Sequence, residues 1–320
     1  RAAEWHMASA SESGVPTHQC NTYDILGPTQ HAQVSYNSLF HILAMTAAAE
    51  LAASPHIKDI AFAGNCTSFL RQAQKTLDEN QWQDRGNGKG FYSYAIEDNS
   101  SLMVDTFYGQ VLAFTNGLGS LMTDKNKIQA HLQTEAEWND SPYGLIVESR
   151  GYGQLLSEGV WQMGSPDWAT LNIHLGGMAV DEAMSQPKKS LENWRTRLKD
   201  LWNIAGVADQ NTGLASVTSH YGYFMTAWHI PLALSGQQAN LPEGSLSFDP
   251  KLRAPWKFPM FLPGVVGSIT ASETRCFTLS LTVGSLDLKS LKVSDCVHVG
   301  VAKLEVGKRV EWCCNIAWYV

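Results

Sequence analysis

The hydrophobic pattern of this chain changes its period at Gly236, and this change limits the folds available to it. Before Gly236, apolar residues return every three to five positions, as in the segment 34–53, which predicts helices with a broad buried face. After it, segments such as "TRCFTLSLTV" alternate and are rich in β-branched and aromatic residues, which predicts strands. The sequence therefore predicts about seven helices and then a small β-rich extension, with domains at residues 1–240 and 241–320.

The predicted helices are long and joined by Gly- and Pro-containing loops. They are placed at about 34–53, 66–77, 102–121, 125–138, 168–184, 191–205 and 221–234. Several carry apolar residues nearly all round, which indicates burial between two layers rather than a surface position. Helices that are buried between two layers are typical of a barrel built from helices.

Charge and composition limit the partners. The net charge is −7 and only 17% of residues are charged, so there is no basic footprint for nucleic acid and a neutral substrate is expected. The longest apolar runs contain polar residues or are too short for a transmembrane segment. The start of the sequence has no continuous apolar region of the kind found in a signal peptide.

The cysteines and histidines do not have the spacing of metal ligands. Six cysteines occur without a C-x-x-C pair, so neither a zinc site nor a redox site is predicted, and Cys313 and Cys314 should point to opposite faces of a strand. The histidines are expected in core or capping roles. Sequons at Asn65, Asn99 and Asn139 permit glycosylation and favour an extracellular or secretory location, so the chain is a candidate glycoprotein.

The stretch "CNTYDILG" places Asp24 just before a long helical pattern. An Asp at such a boundary is often a helix cap whose side chain accepts from free backbone N–H groups. The alternative is an acid held ready for chemistry. The nucleophile, phosphate-binding and dinucleotide-binding motifs are absent from the sequence, so acyl transfer, phosphoryl transfer and dinucleotide chemistry have no support.

Several blocks decide between these readings of Asp24. "NTYDILGP", "SLFHILAMTAAAELA", "LMVDTFYGQVLAFTNGLG", "GGMAVDEAM", "SHYGYFMTAWHIPLALSG" and "GSLSFDPKL" occur in this order over about residues 16–252. Together they resemble the C-terminal part of the catalytic region of glycoside hydrolase family 116, which includes non-lysosomal glucosylceramidases and β-glucosidases. "GFYSYAIEDN" and "GVWQMGSPDW" add aromatic residues beside amides and acids; in exposed loops these would suit a sugar site, and they would equally fit an aromatic-rich core.

The resemblance implies a fold and a chemistry. The fold is the second half of an (α/α)6 six-hairpin toroid with a β-rich C-terminal extension. The chemistry is retaining hydrolysis of a carbohydrate or glycoside substrate without a cofactor, with Asp24 as general acid/base and Thr22 as its hydrogen-bonding neighbour. The nucleophile of the family lies upstream, so we expect the N-terminal half of the catalytic domain as an upstream segment or a separate chain.

The resemblance also places His220 and Tyr223 at substrate-binding positions, and here the sequence departs from the family. The family has a Glu and an Arg in this segment, whereas Leu214 and Tyr223 stand in their places. Loss of both charged groups removes the strongest expected bonds to glucose, so glucose should bind weakly.

Two other functions stay open. The chain could be a catalytically decayed family member that acts as a carbohydrate-binding or structural subunit, which Leu214 and Tyr223 favour. It could also be an inverting enzyme that uses Asp105 or Glu182 as base; this would require a carboxylate about 6.5–9.5 Å from that of Asp24.

Overall fold

The computed structural model describes residues 1–10, 12–19, 33–150, 159–200, 202, 204–217, 220–300 and 303–314 of the 320-residue chain, except the side chains of Val217, Tyr223 and Val299. The chain forms two compact units. The first comprises Arg1–Phe114 and Leu118–Ala227, and the second comprises Thr115–Gly117 and Trp228–Val320.

The helices in the described part are α1 (Ala2–Ser9), α2 (Ser35–Ala53), α3 (Ile60–Asn80), α4 (Tyr108–Thr115), α5 (Lys125–Trp138), α6 (Gly164–Leu175), α7 (Val180–Ala183), α8 (Ser185–Glu192) and α9 (His229–Ser235). A π-helical turn covers Asn193–Arg197 and a 3-10 helix covers Tyr223–Trp228. In the described residues no helix is both long and apolar enough to cross a bilayer.

Short strands lie between the helices of the first unit. They are β1 (Trp82–Gly86), β2 (Lys89–Tyr92), β3 (Leu102–Met103), β4 (Asp140–Ser141), β5 (Gly144–Leu145), β6 (Glu148–Ser149), β7 (Val160–Trp161), β8 (Val207–Ala208) and β9 (Ala215–Val217). β1 pairs with β2, β3 with β6, and β4 with β5, while β7, β8 and β9 form a three-stranded sheet.

The strands of the second unit are β10 (Gln238–Asn240), β11 (Ser245–Phe248), β12 (Trp256–Leu262), β13 (Val265–Ala271), β14 (Cys276–Val283), β15 (Ser285–Leu286), β16 (Ser290–Val293), β17 (Cys296–Val299), β18 (Leu304–Glu305) and β19 (Arg309–Cys313). They form four-stranded sheets of order β10-β11-β16-β17 and β12-β13-β14-β19, and a β15-β18 pair. Among the strand pairings of this unit that the structure describes, only the β11-β16 pairing is parallel.

Local sequence explains why several elements begin where they do. The side chain of Asp59 accepts from the N–H of Phe62 and caps α3, and Asp124 caps α5 in the same way. Along β13 the residues alternate between buried and half-buried, as expected for a strand with one face on a core. The inward residues of the two four-stranded sheets share one hydrophobic core.

The helical region and the β-rich C-terminal region are confirmed, whereas the half-toroid of hairpins stays a prediction. Short strands β1–β3 lie between α3 and α4, and β4–β7 lie between α5 and α6. The helix predicted at 102–121 is wrong over much of its length. It is replaced by β3, a turn at Asp105 with φ of +60°, and the short helix α4. The helix predicted at 168–184 is interrupted at Gly176, which has φ of +69° and ends α6.

Disulfides join strands of the second unit. Cys276 on β14 is bonded to Cys313, its register partner on β19, and Cys296 on β17 is bonded to Cys314. The second bond joins the two four-stranded sheets. The vicinal pair Cys313–Cys314 therefore bonds to two different strands, which fits the opposite directions predicted for their side chains.

Candidate functional site

The predicted site residues are only partly described. Asp24 and Thr22 lie outside the described residues. His220 is exposed and has φ of +60°, and Tyr223 begins the 3-10 helix Tyr223–Trp228. Leu214 is also exposed. Their roles at a sugar site stay predictions.

Three carboxyl groups are buried together in the first unit: Asp105, Glu135 and Asp167, with exposed fractions of 4%, 3% and 1%. We call them the acidic centre. Asp105 lies in the turn between β3 and α4, Glu135 lies on α5, and Asp167 lies in the first turn of α6. Buried carboxyl groups that act on each other are uncommon, because each ionised group would lose its hydration.

Asp105 has a left-handed backbone conformation. Its carbonyl accepts from the N–H of Tyr108 at 2.9 Å and closes the turn, while the Thr106 hydroxyl donates to the Met103 carbonyl at 2.7 Å. A φ of +60° costs a residue with a side chain about 1–2 kcal/mol, although Asp tolerates it better than most. Backbone strain of this kind is concentrated at functional sites.

The electrostatics of the acidic centre favour protonation. Burial raises the pKa of Asp167 well above its usual range, and the charge of Asp105, a hydrogen bond with Asp105 and the charge of Glu135 raise it further. Only the Thr226 hydroxyl acts in the opposite direction. The position of Asp167 at a helix N-terminus would stabilise the charged form by at most about 2 kcal/mol, which is less than the several kcal/mol of desolvation. The balance at Asp167 therefore favours its protonated form.

His131 and Glu135 form a neutral pair in the same region. The Nε2 atom of His131 lies 3.8 Å from Oε2 of Glu135, a separation at which ionised groups would form a salt bridge. Burial, however, lowers the pKa of His131 to about 3, while burial and then the charge of Asp105 raise the pKa of Glu135. The Nδ1 atom accepts from the N–H of Tyr92 at 3.1 Å, so the ring proton lies on Nε2.

Tyr108, the first residue of α4, is half-buried. Burial raises its pKa to about 12, and the charges of Asp167, Asp105 and Tyr36 add to the effect. Tyr36 lies in the first turn of α2, the helix that follows the Asp24 segment in the sequence, and Phe40 contacts both tyrosine rings. The acidic centre is thus coupled electrostatically to a partly exposed phenol.

The acidic centre is not arranged as a metal site. In the part of the chain that the structure describes, no three His, Cys, Asp or Glu side chains are placed to hold a metal ion. Its carboxyl groups are suited instead to holding and moving a proton.

A cavity of about 390 Å³ near Tyr143 offers less chemistry. Arg197 lies 4.9 Å above the Tyr143 ring and already donates to Asn193 and to the Thr212 carbonyl. Lys189, which also lines the cavity, is paired with Asp140. Its cations are therefore engaged by the protein itself.

The aromatic residues of two segments that would suit either a sugar site in exposed loops or an aromatic-rich core lie in the core. The rings of "GFYSYAIEDN" and "GVWQMGSPDW" are at most 5% exposed, and the residues concerned are Phe91, Tyr92, Tyr94, Trp161 and Trp168. The ring N–H of Trp168 donates to the Leu132 carbonyl at 2.8 Å. These rings pack the first unit and do not form a sugar platform.

Asp105 was predicted only as an alternative base, and Glu182, named beside it, is exposed on α7. Glu135 and Asp167 were missed. A signal for Glu135 exists in the sequence, because Ile128, His131, Leu132 and Glu135 follow the three- and four-residue spacing of the buried face of α5. A polar residue at such positions indicates a buried polar group.

Neither a family model nor a curated protein sequence matches this chain. The solved structures similar to it include two glycoside hydrolases. One is a bacterial glucoamylase complexed with acarbose, with TM-score 0.43 and 15% identity over 62% of this chain. The other is a GH127 β-L-arabinofuranosidase from Geobacillus stearothermophilus T6, with TM-score 0.31 and 10% identity over 87% of this chain. This chain spans 33% and 61% of their respective lengths. Similarity this low establishes neither a shared fold nor a shared activity, and membership of family 116 stays a prediction.

Proposed function

We propose that this chain is part of a glycoside hydrolase of the β-glucosidase or glucosylceramidase type. In this proposal Asp24 is the general acid/base of a retaining reaction, and the nucleophile comes from residues outside this chain. The observation that carries the proposal is the burial of the Asp105 and Asp167 carboxyl groups in the first unit, together with the raised pKa of Asp167 and of the half-buried Tyr108. Strongly shifted carboxyl groups are concentrated at catalytic sites.

The chemistry requires two protonation states of one carboxyl group. Asp24 as acid protonates the glycosidic oxygen while the outside nucleophile forms the glycosyl-enzyme bond and the aglycone leaves as an alcohol. Asp24 as carboxylate then removes a proton from the water that releases the sugar. Asp167 is too deeply buried to touch a substrate. Its role in this proposal is to hold the neighbouring turn of Asp105 and Tyr108 in place through the packing around it.

The test compares Asp24→Asn and Asp105→Asn with wild type in the complete gene product. Loss of the acid should abolish hydrolysis of alkyl glucosides, because their departure depends most on protonation. The first step of hydrolysis should slow less for 4-nitrophenyl β-glucoside, because departure of this aglycone depends less on protonation. Azide should rescue Asp24→Asn by forming a β-glucosyl azide, because azide attacks without a general base.

A matched control is Asp181→Asn, which changes an exposed Asp on α7 and should leave turnover unchanged. If Asp24→Asn hydrolyses alkyl glucosides at the wild-type rate, Asp24 is a helix cap and the assignment is wrong. If wild type binds glucosides without cleaving them, the non-catalytic alternative is correct. Release of the α-anomer from a β-glucoside would favour the inverting alternative with Asp105 as base.

A further inference from the structure

The second unit carries an apolar groove with exposed aromatic rings. Along β12 the inward residues Phe258 and Met260 are buried, whereas the outward Pro259 and Phe261 are exposed, and Phe261 is exposed by 60%. Trp228, which precedes α9, is exposed by 76%. Together with Pro231 and Leu232 of α9, the outward residues and Trp228 line a cavity of about 410 Å³.

The apolar residues of this groove are unusual for the outward face of a strand at the edge of a sheet. The outward face of an edge strand normally carries polar or charged residues, and β12 is at the edge of its sheet. A proline is tolerated at this edge because it need not donate to a neighbouring strand. A large exposed ring beside it has no role in the core of this unit.

A second cavity of about 420 Å³ adjoins the first, because Leu232 and Phe261 line both. Its lining adds polar side chains of Thr115, Asn116 and Gln237. All these residues belong to the second unit. The two cavities thus combine apolar rings with a few polar groups, and their volumes fall in the range of small-molecule sites.

Gln237 provides an independent indication of a ligand. The residue is 93% buried, and its Nε2 donates to the Phe261 carbonyl at 3.3 Å. A carbonyl only accepts, so the amino group must face Phe261, and this fixes the orientation of the amide. The remaining Oε1 has no hydrogen-bond partner among the described residues. A buried acceptor without a donor costs about 1–3 kcal/mol. The Oε1 atom is closed off from solvent, so a ligand hydroxyl recovers this cost where the Gln237 side chain turns toward the cavity that it lines.

The residues that line the two cavities also indicate that the ligand is uncharged. No Asp, Glu, Lys, Arg or His lines either cavity in the described part of the chain. A charged ligand would lose hydration here without gaining a counter-ion. A neutral polyol has both required features: C–H faces that stack on aromatic rings, and hydroxyl groups that donate to an amide oxygen.

We propose that this groove is a binding site for a neutral saccharide, separate from the acidic centre and independent of whether the chain hydrolyses glycosides. One sugar ring stacks on Trp228 or Phe261, and a hydroxyl of the next ring donates to Oε1 of Gln237. The groove holds the saccharide without a chemical step.

The test measures binding by the full chain rather than turnover. Indole N–H signals of ¹⁵N-tryptophan-labelled protein are followed while cellotetraose, maltotetraose, xylotetraose and a sulfated heparin tetrasaccharide are added. We expect the Trp228 signal to shift in a saturable way with at least one neutral tetrasaccharide and not with the heparin fragment. Trp228→Ala and Gln237→Leu should each weaken binding at least tenfold, as measured by calorimetry, because Trp228→Ala removes the indole signal itself.

Trp202→Ala is the matched control, because Trp202 is 88% exposed and lies in the first unit. Binding should be unchanged in this variant and in Asp24→Asn, which separates the groove from the proposed hydrolysis. The proposal is overturned if no neutral tetrasaccharide shifts the Trp228 signal, or if Trp228→Ala and Gln237→Leu, with wild-type thermal unfolding, bind as wild type does. A shift caused only by the heparin fragment, or by a proline-rich peptide instead of a saccharide, would overturn it as well.

Discussion

The carboxyl groups of Asp105 and Asp167 are both buried in the interior of the first unit, and after burial the charge of Asp105 is the largest cause that raises the pKa of Asp167. Two buried carboxyl groups that act on each other lose hydration and repel each other when both ionise, so the protonated form of Asp167 is favoured. Like charges that cannot both ionise are a recurring device of catalytic carboxyl pairs. The pair should therefore make the stability of the protein depend on pH.

We predict that Asp167→Asn flattens this dependence. An unfolded Asp loses its proton near pH 4, whereas folded Asp167 keeps it, because burial and Asp105 raise its pKa. Its contribution to stability is complete below the unfolded pKa and is lost as the pH rises, by about 1.4 kcal/mol per pH unit until the folded pKa is reached. Removing the acid should reduce this slope.

The measurement is the free energy of unfolding in urea between pH 5 and about pH 7.5. Glu135 has a raised pKa for the same main reason and keeps part of the slope in the variant. The exposed-site control Asp181→Asn should follow wild type. Equal slopes for wild type and Asp167→Asn would mean that Asp167 holds no proton at neutral pH.

We predict that Gly164→Ala destabilises the first unit by about 1–3 kcal/mol. A Cβ at Gly164 would lie 2.9 Å from Cγ1 of Val104 and 3.3 Å from Oδ1 of Asp105, so the turn that carries Asp105 would have to move. Gly64→Ala is the matched control. Nothing lies within 4 Å of the added Cβ there, and the site is inside α3, so a gain of about 0.5–1 kcal/mol is expected. The measurement is the thermal unfolding of both variants. An unchanged stability of Gly164→Ala would contradict the close packing around Gly164.

We predict that loss of the Cys296–Cys314 bond destabilises the second unit by about 3 kcal/mol, the cost expected for a loop of this length. The double variant Cys296→Ser/Cys314→Ser should show this loss of stability as a lower unfolding temperature of the β-rich unit. In the single variant Cys296→Ser, the thiol of Cys314 should become titratable. If no new thiol appears, Cys314 has another partner.

We predict that only some of the sequons accept a glycan. Asn139 is fully buried, its Nδ2 donates to the Ile146 carbonyl at 3.0 Å, and its Oδ1 accepts from Ser149 at 2.7 Å. Asn99 is exposed in a loop. After expression in a secretory host, mass spectrometry should find glycan at Asn99 and none at Asn139. Asn139→Gln should cost about 1–3 kcal/mol because buried partners lose their bonds; glycan on Asn139 of folded protein would refute the prediction.

Local sequence patterns predicted the elements that depend only on residues close together in the chain. Helix α5 covers the predicted range 125–138, because its apolar spacing and its cap at Asp124 are properties of consecutive residues. The alternation of β13 and β14 is local in the same sense. The predicted helix at 102–121 was wrong because its spacing could not reveal that Asp105 adopts a left-handed conformation, which tertiary contacts around the turn maintain.

The sequence by itself predicted the two kinds of secondary structure, which the structure confirms, and it gave rise to the expectations of an uncharged substrate and of a role for Asp24, which stay predictions. The tertiary structure decided which groups meet. Asp105, Glu135 and Asp167 are far apart in the chain, and only the packing of the β3–α4 turn against α5 and α6 removes them from water and couples their charges. Desolvation and charge coupling depend on distance in space, so no local pattern could reveal that these carboxyl groups act on each other, just as none could pair the cysteines.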